Sequence, residues 1–453
     1  MAGIGFALRR LGKESYGGIA SAYLLAGIIG SGPWLISIVS MLFIGVWAQH
    51  THGNELVVTQ FLASVTYLMS GSLILSSLLQ LLFVRFVADR LFEKNPETVV
   101  PNVMGAMLVM TCVAGAAGTT FVLVGFNGLY TFRALFVVAF VALCNVWILS
   151  VLLSGMKAYR SVVLVFLGGY SINVLAGISL ERFGLAGYLA GFCIGHVVML
   201  FAMLVLVFRE YPTKRLVAFD FLVKKNIFIE LSLTGALFNL AVWVDKFIFW
   251  ANPVTSEVLV GAIRYSVVYD VPVFVAYLSV VPGMAVFLVR IETDFAEAYD
   301  KFYTAVREGD SLAQLERLRN QLVEAARAGI YDIFRIQGLT AAVLLLVGGR
   351  VLGAFHIPIF YEYLFKIDVI GVAFQVVLLG IFTILFYLDY RRLVLALCAF
   401  FVVANVGLSI ASQILGPRFY GFGFAISAAL TSLLSLGALS YKLDRLEYET
   451  FMR

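Results

Sequence analysis

The residues able to do chemistry in this chain are few and widely spread. Four histidines are present. His50 and His52 flank Thr51, but two imidazoles without a third or fourth ligand make a weak metal site. His196 lies inside an apolar run and reads as a hydrogen-bonded packing residue, and His356 stands alone. Cys112, Cys144, Cys193 and Cys398 are far apart, each within an apolar stretch and none in a CxxC pair, so they read as small packing residues. Gly12-Lys13 is followed by Glu14 and lacks the upstream glycine of a phosphate-binding loop, so the chain is not expected to hydrolyse nucleotide. No catalytic constellation stands out, and no metal or cofactor is expected. The chain does not read as an enzyme.

Ionisable groups inside apolar runs are different, because burying charge in a membrane is costly and such residues are functional-site hypotheses by default. Asp245 and Lys246 share one run. Neighbours i and i+1 point in different directions on a helix, so the two are not expected to pair. Asp270 falls near the same level on the returning segment, with Arg264 in the preceding loop. Arg350 stands ~22 Å from the inner end of its own segment at ~1.5 Å per residue. Two readings are open: interhelical salt bridges with Lys246 snorkelling, or charges lining the outer part of a hydrated cavity between the two halves. Asn145, Asn173, Asn239, Gln375, Asn405 and Gln413 are uncharged polar groups in such runs. Each could meet a hydrophilic substrate or bond across a helix interface. Trp34, beside the break at Pro33, is a further candidate for lining a path.

The elements that must position these residues follow from composition. Of 453 residues, 62% are hydrophobic and only 13% charged. Mean hydropathy is +0.97. A soluble domain holds about a quarter charged residues, so a water-soluble globule is excluded. Nine prolines and scattered glycines exclude collagen-like and low-complexity classes. Segments of ~20 apolar residues span a bilayer. Twelve are expected, near 16–48, 56–84, 101–126, 132–156, 161–180, 184–208, 227–250, 268–290, 335–356, 368–388, 391–415 and 421–441. The first is too long for a signal peptide and lacks its cleavage site, so it stays as a span, kinked at Pro33.

Loop charges set the orientation. The net charge is +5. All Lys and Arg except Arg133, Arg182, Lys246, Arg264, Arg350, Lys366 and Arg418 fall on one side, at or near segment ends and loops. Lys/Arg-rich loops stay in the cytoplasm, which puts both termini inside. The basic surplus is thereby topological, and no nucleic-acid partner is expected.

Six spans per half make any duplication parallel. The expected organisation is an N-terminal six-helix bundle at 1–208, a basic cytoplasmic linker at 209–226 and a C-terminal six-helix bundle at 227–453. The longest polar stretch, 291–334, is expected to form a cytoplasmic helical hairpin. Ser311 and Gln314 make a capping box after the Gly309-Asp310 turn. Leu312, Leu315, Leu318 and Leu322 then recur at helical spacing. That face either packs on the chain itself or docks a cytoplasmic partner.

Several stretches carry a family resemblance. They are Ala26-Gly-Ile-Ile-Gly-Ser-Gly-Pro-Trp-Leu35, Asn239-Leu-Ala-Val-Trp-Val-Asp-Lys-Phe-Ile-Phe-Trp250, Tyr269-Asp-Val-Pro running to Arg290-Ile-Glu-Thr-Asp-Phe295, and Phe386-Tyr-Leu-Asp-Tyr-Arg-Arg392. Together they resemble the PelG family, the inner-membrane transporter component of Pel exopolysaccharide biosynthesis, from the N-terminus past residue 390. The resemblance implies the polysaccharide-transporter branch of the multidrug/oligosaccharidyl-lipid/polysaccharide (MOP) exporters, with two six-helix bundles around a central cavity. It also implies a complex with a cytoplasmic glycosyltransferase, a cyclic-di-GMP receptor and a further membrane subunit, exporting an amino-sugar-rich polymer for biofilm formation. It brings no agreed set of transport residues.

The resulting expectation is a multi-pass protein of the bacterial inner membrane, an all-α flippase or conduit for exopolysaccharide. Trp34, Asn239, Asp245, Lys246, Asp270 and Arg350 are expected along the substrate path. Two alternatives remain: an ion-coupled small-molecule antiporter on the same fold, or a structural anchor for the synthase.

Overall fold

The structure is a computed structural model that describes residues 26–27, 32–33, 35–47, 55–155, 159–211, 213–223, 228–354 and 357–452. Trp34, His50, His52 and His356 lie outside the described residues, as do Gly12, Lys13 and most of the expected first span. The protein is an all-α membrane protein. Eleven helices among the described residues are long and apolar enough to cross a bilayer, and Leu35–Trp47 (α1) is a shorter apolar helix. Only helices and closed barrels satisfy every backbone group inside lipid. Large apolar side chains left on the outside, such as Val124, Leu175, Leu346 and Val403, are therefore lipid-facing rather than misplaced.

By internal contacts the chain forms two compact units. One holds residues 33–243 and 250–266. It contains α1, α2 (Glu55–Phe92), α3 (Val99–Gly125), α4 (Tyr130–Gly155), α5 (Tyr159–Ser179), α6 (Gly184–Glu210) and most of α7 (Ile229–Ala251). It also takes a two-stranded hairpin, β1 (Glu257–Val260) and β2 (Ile263–Tyr265). α5 and α6 cross at backbone contact: a Cβ on Gly191 would meet Gly177 at 2.3 Å, and one on Gly195 would meet the Gly169 carbonyl at 2.6 Å. Small residues let membrane helices approach this closely, and dispersion then holds them where no hydrophobic effect operates. Aromatic side chains fill the rest, with Phe61, Phe83, Phe86, Phe166 and Phe192 fully buried.

The stretch after α6 is anchored to this unit. Asn102 of α3 is buried and donates from Nδ2 to Asp220 Oδ2 at 3.0 Å. Its Oδ1 accepts the Asp220 amide at 2.8 Å, and Ala218 N donates to the Pro101 carbonyl at 2.9 Å. Phe221 then inserts edge-on against Phe83, 5.5 Å between ring centres. The division expected at 209–226 thus falls on a segment clasped to α3, and the contacts divide the chain inside α7 instead.

The other unit holds residues 244–249 and the chain from 267 on, with part of the N-terminal segment. After α8 (Val267–Ala276) a single 3-10 turn, Tyr277–Ser279, leads to α9 (Val280–Val289). A π-turn, Arg290–Phe295, continues into α10 (Ala296–Glu308). Arg290 sits at that defect and pairs with Asp294 at 3.1 Å and Asp332 at 2.7 Å. Gly309 ends α10 in the left-handed region at φ +76°, which glycine adopts without cost. The expected capping contact follows, Gln314 N donating to Ser311 Oγ at 3.4 Å.

α11 (Leu312–Ala354) is one uninterrupted helix of 43 residues. At 1.5 Å per residue it runs ~64 Å, about twice a hydrocarbon core. The expected soluble hairpin and the ninth span are thus one continuous helix, because nothing between Gly309 and His356 breaks the pattern. α12 (Glu362–Tyr387), α13 (Arg391–Leu415), α14 (Phe422–Asp444) and the short α15 (Leu446–Met452) complete the unit. α15 lies along α11 through Arg319–Glu447 at 2.8 Å, beside Arg327–Asp444 at 3.0 Å.

Candidate functional site

The most concentrated polar chemistry in the second unit surrounds the last turns of α7. Asp245 is 0% exposed and Lys246 5%. Contrary to expectation the two neighbours pair: Lys246 Nζ lies 3.2 Å from Asp245 Oδ1 and 3.1 Å from Oδ2. Backbone direction does separate i from i+1, but a four-carbon stem is long enough to fold back. With water excluded, an unpaired ammonium would cost several kcal/mol, so the fold-back is the cheaper state.

Each partner is held from a second element. Tyr269 of α8 donates its hydroxyl to Asp245 Oδ2 at 2.6 Å. Its ring stacks on Phe249, one turn beyond Asp245, with centres 3.8 Å apart, and Tyr420 meets Phe249 edge-on at 4.9 Å. Lys246 Nζ sits 5.3 Å above the Tyr277 ring and 5.1 Å from the Phe424 ring, within cation–π range. Tyr277 in turn donates to Gln375 Oε1 of α12 at 3.0 Å.

A third ionisable group completes the cluster. Asp368 of α12 is 1% exposed, and neither carboxylate oxygen has a hydrogen-bond partner. Lys246 and Asp245 both act on it electrostatically. It is walled by Gly421, where an added Cβ would stand 3.1 Å from Asp368 Oδ1. One carboxylate–ammonium pair thus lies among aromatic rings with a second buried carboxyl group nearby. Among the described residues no group of three or more His, Cys, Asp or Glu is placed to hold a metal.

The other expected path residues are elsewhere. Asp270, next to Tyr269, is half-buried, and Arg350 is exposed near the end of α11. Asn239 belongs to the first unit and donates to its own helix at the Gly235 carbonyl, 3.1 Å away. Arg264 is taken up by its own hairpin, donating from Nε to Ser256 Oγ at 2.9 Å and from a terminal nitrogen to the Ser256 carbonyl at 3.0 Å. Trp34 lies outside the described residues. Of the leucines expected to dock a partner, Leu322 is fully buried, Leu315 is buried, Leu318 is half-buried and Leu312 is 68% exposed.

Tyr269, Tyr277 and Asp368 escaped the sequence reading. The span expected near 368–388 puts Asp368 at its first position. The helix begins earlier, at Glu362, where the Glu362–Lys366 pair at 2.8 Å covers its first turn. Asp368 is therefore nearly two turns inside. The signal was a lone carboxylate among Ile367, Val369 and Ile370, which only an earlier helix start would have placed indoors.

A family model described as "PelG: Putative exopolysaccharide Exporter (EPS-E)" matches residues 1–451. No curated protein matches the chain. Solved structures share its fold at low identity. One is a multidrug resistance MATE family transporter of the MOP superfamily in an outward-facing conformation, with TM-score 0.63 and 16% identity over 94% of this chain and 96% of that one. Another is a MOP superfamily transporter from Pyrococcus furiosus, described by a binding pocket of reversed polarity, with TM-score 0.66 and 15% identity over 98% and 97%. A MATE protein in a bent conformation gives TM-score 0.64 and 14% identity over 99% and 97%.

Proposed function

Since the chain belongs to the PelG family, we propose that it carries a growing, amino-sugar-rich exopolysaccharide across the bacterial inner membrane as part of a synthase and transport complex. The observation that carries this reading is a family match spanning residues 1–451, supported by a MOP-type fold built for membrane transport. In this reading both termini face the cytoplasm, as the basic loops favour. A cytoplasmic glycosyltransferase supplies the polymer, with a cyclic-di-GMP receptor and a further membrane subunit alongside. The protein works as a flippase or conduit and not as an enzyme, and Asp245, Lys246 and Asp368 hold the transport unit together and set its electrostatics.

The test is secretion. Cells making the polymer should lose it from the medium when the gene is removed, accumulate it internally, and recover secretion when the gene returns. Unchanged secretion in the deletion strain overturns the reading. Uptake of a cationic dye into everted vesicles holding this chain alone would point instead to small-molecule antiport on the same fold.

A further inference from the structure

The basic stretch between α6 and α7 carries a row of large apolar side chains that the fold leaves outside. Leu216, Val217, Phe219, Leu222 and Val223 are all exposed, Leu216 to 75%. Phe221 turns inward instead, against Phe83 and Phe86 of α2. Exposed apolar side chains grouped in this way mark a surface that meets something other than water.

Backbone contacts fix the depth of this row. Ala218 N donates to the Pro101 carbonyl at 2.9 Å, and a Cβ on Gly105 would strike the Ala218 carbonyl. α3 begins at Val99 and holds no charged residue as far as Gly125. Gly105 therefore lies ~9 Å inside an apolar helix, at ~1.5 Å per residue. The headgroup layer on either side of the hydrocarbon core is only ~5–7 Å deep. The segment thus descends through that layer to the edge of the hydrocarbon.

The outer face of α3 shows what lies beyond. Pro101, Gly105, Leu108 and Cys112 follow one another along one side of the helix. Pro101 and Gly105 are buried beneath the segment, whereas Leu108 and Cys112 are exposed. The segment stands where lipid would otherwise cover the first two turns, and its own outward side chains continue the lipid-facing surface.

Charge borders the apolar row. Lys214 and Arg215 precede it, both exposed, and Lys224 and Lys225 follow in the sequence. Lys214 lies 3.5 Å from Glu97, but both side chains are exposed, where such a pair contributes little. Asp220 is engaged by Asn102. Apolar side chains at the hydrocarbon edge with cations just outside them make an interfacial segment suited to an anionic membrane. An acidic protein partner would account for the cations and not for an apolar row at membrane depth.

We infer that residues 213–223 form a membrane-surface site for anionic phospholipid. Leu216, Val217 and Phe219 insert beneath the headgroups, and Lys214 and Arg215 hold the phosphates. The site needs no polysaccharide and stands apart from the export reading.

The test uses the full chain in nanodiscs, with Cys112→Ala so that the remaining cysteines are buried. Spin labels placed through Leu216→Cys, Phe219→Cys, Leu108→Cys and Ser311→Cys report collisions with oxygen, which prefers lipid, and with a water-soluble nickel chelate. The labels at Leu216 and Phe219 should favour oxygen, as at Leu108, while the label at Ser311 favours nickel. Titrating the detergent-purified chain with phosphatidylglycerol or phosphatidylcholine, with bound lipid counted by native mass spectrometry, reads the charge preference. Wild type should bind phosphatidylglycerol more tightly, and Lys214→Gln with Arg215→Gln should lower that affinity at least about threefold and leave phosphatidylcholine binding unchanged. Labels at Leu216 and Phe219 that behave like the one at Ser311 overturn the proposal. If those labels become shielded only when the other synthase subunits are co-expressed, the surface belongs to a protein partner instead. Unchanged phosphatidylglycerol binding in the double variant removes the headgroup contact and overturns the proposal equally.

Discussion

Lys246 turns back on its own predecessor in sequence, placing Nζ 3.1 Å from Asp245 Oδ2 with both side chains almost wholly buried. Removing one partner of such a pair strands the other in a dry interior, at a cost of roughly 3–5 kcal/mol. Asp245→Asn and Lys246→Met should each lower the melting temperature in detergent markedly. The double variant should recover much of the loss, because it removes both charges together. Additive losses in the double variant would show that the pair contributes nothing as a unit.

Asp368 should behave in the opposite way. Its carboxylate is buried without a hydrogen-bond partner, so its ionised form costs desolvation and gains only distant attraction to Lys246. Asp368→Asn keeps the volume and removes the charge. Melting temperature should stay level or rise by the equivalent of about 1–3 kcal/mol, while export falls if this charge serves transport. A clear loss of stability would mean that Asp368, and not Asp245, is the working counter-ion of Lys246.

Asn102 holds the stretch after α6 with both ends of its amide. Asn102→Ala removes the hydrogen bonds to the Asp220 amide and carboxylate, which costs about 0.5–1.5 kcal/mol. The expected readout is local: trypsin should cut near Lys214 and Arg215 faster in the variant than in the wild type. Equal cleavage would mean that Phe221, seated against Phe83 and Phe86, holds the segment without the clasp.

Most spans were legible because a bilayer demands a fixed length of apolar helix, and segments such as 391–415 agree with the structure to the residue. The hairpin expected at 291–334 is there across the Gly309 turn, but its second arm runs on into the ninth span, because polarity marks where a helix leaves lipid and not where it stops: Leu312–Ala354 is one helix. The site was half legible. Asp245 and Lys246 declared themselves as charges among apolar neighbours. Their pairing did not, because helix geometry constrains Cβ directions and says little about the reach of a lysine. The place of Asp368 depends on which helices adjoin, and a single sequence does not state that.

The continuity of α11 also changes how an anchoring role is best tested. Deleting residues 311–328 would remove Leu322 and Ala326, both fully buried, and would sever α11 from Glu447, the partner of Arg319. Loss of export would then follow from misfolding alone. Point changes separate the two causes. Leu322→Asp puts a charge into a sealed interface and should cost several kcal/mol, giving little folded protein. Leu312→Asp, at a position 68% exposed, should leave the melting temperature within about 0.5 kcal/mol of wild type. If this end of α11 docks a partner of the synthase, Leu312→Asp should still release that partner on pull-down and reduce polymer secretion. Full partner recovery with normal secretion would confine the hairpin to packing on its own chain.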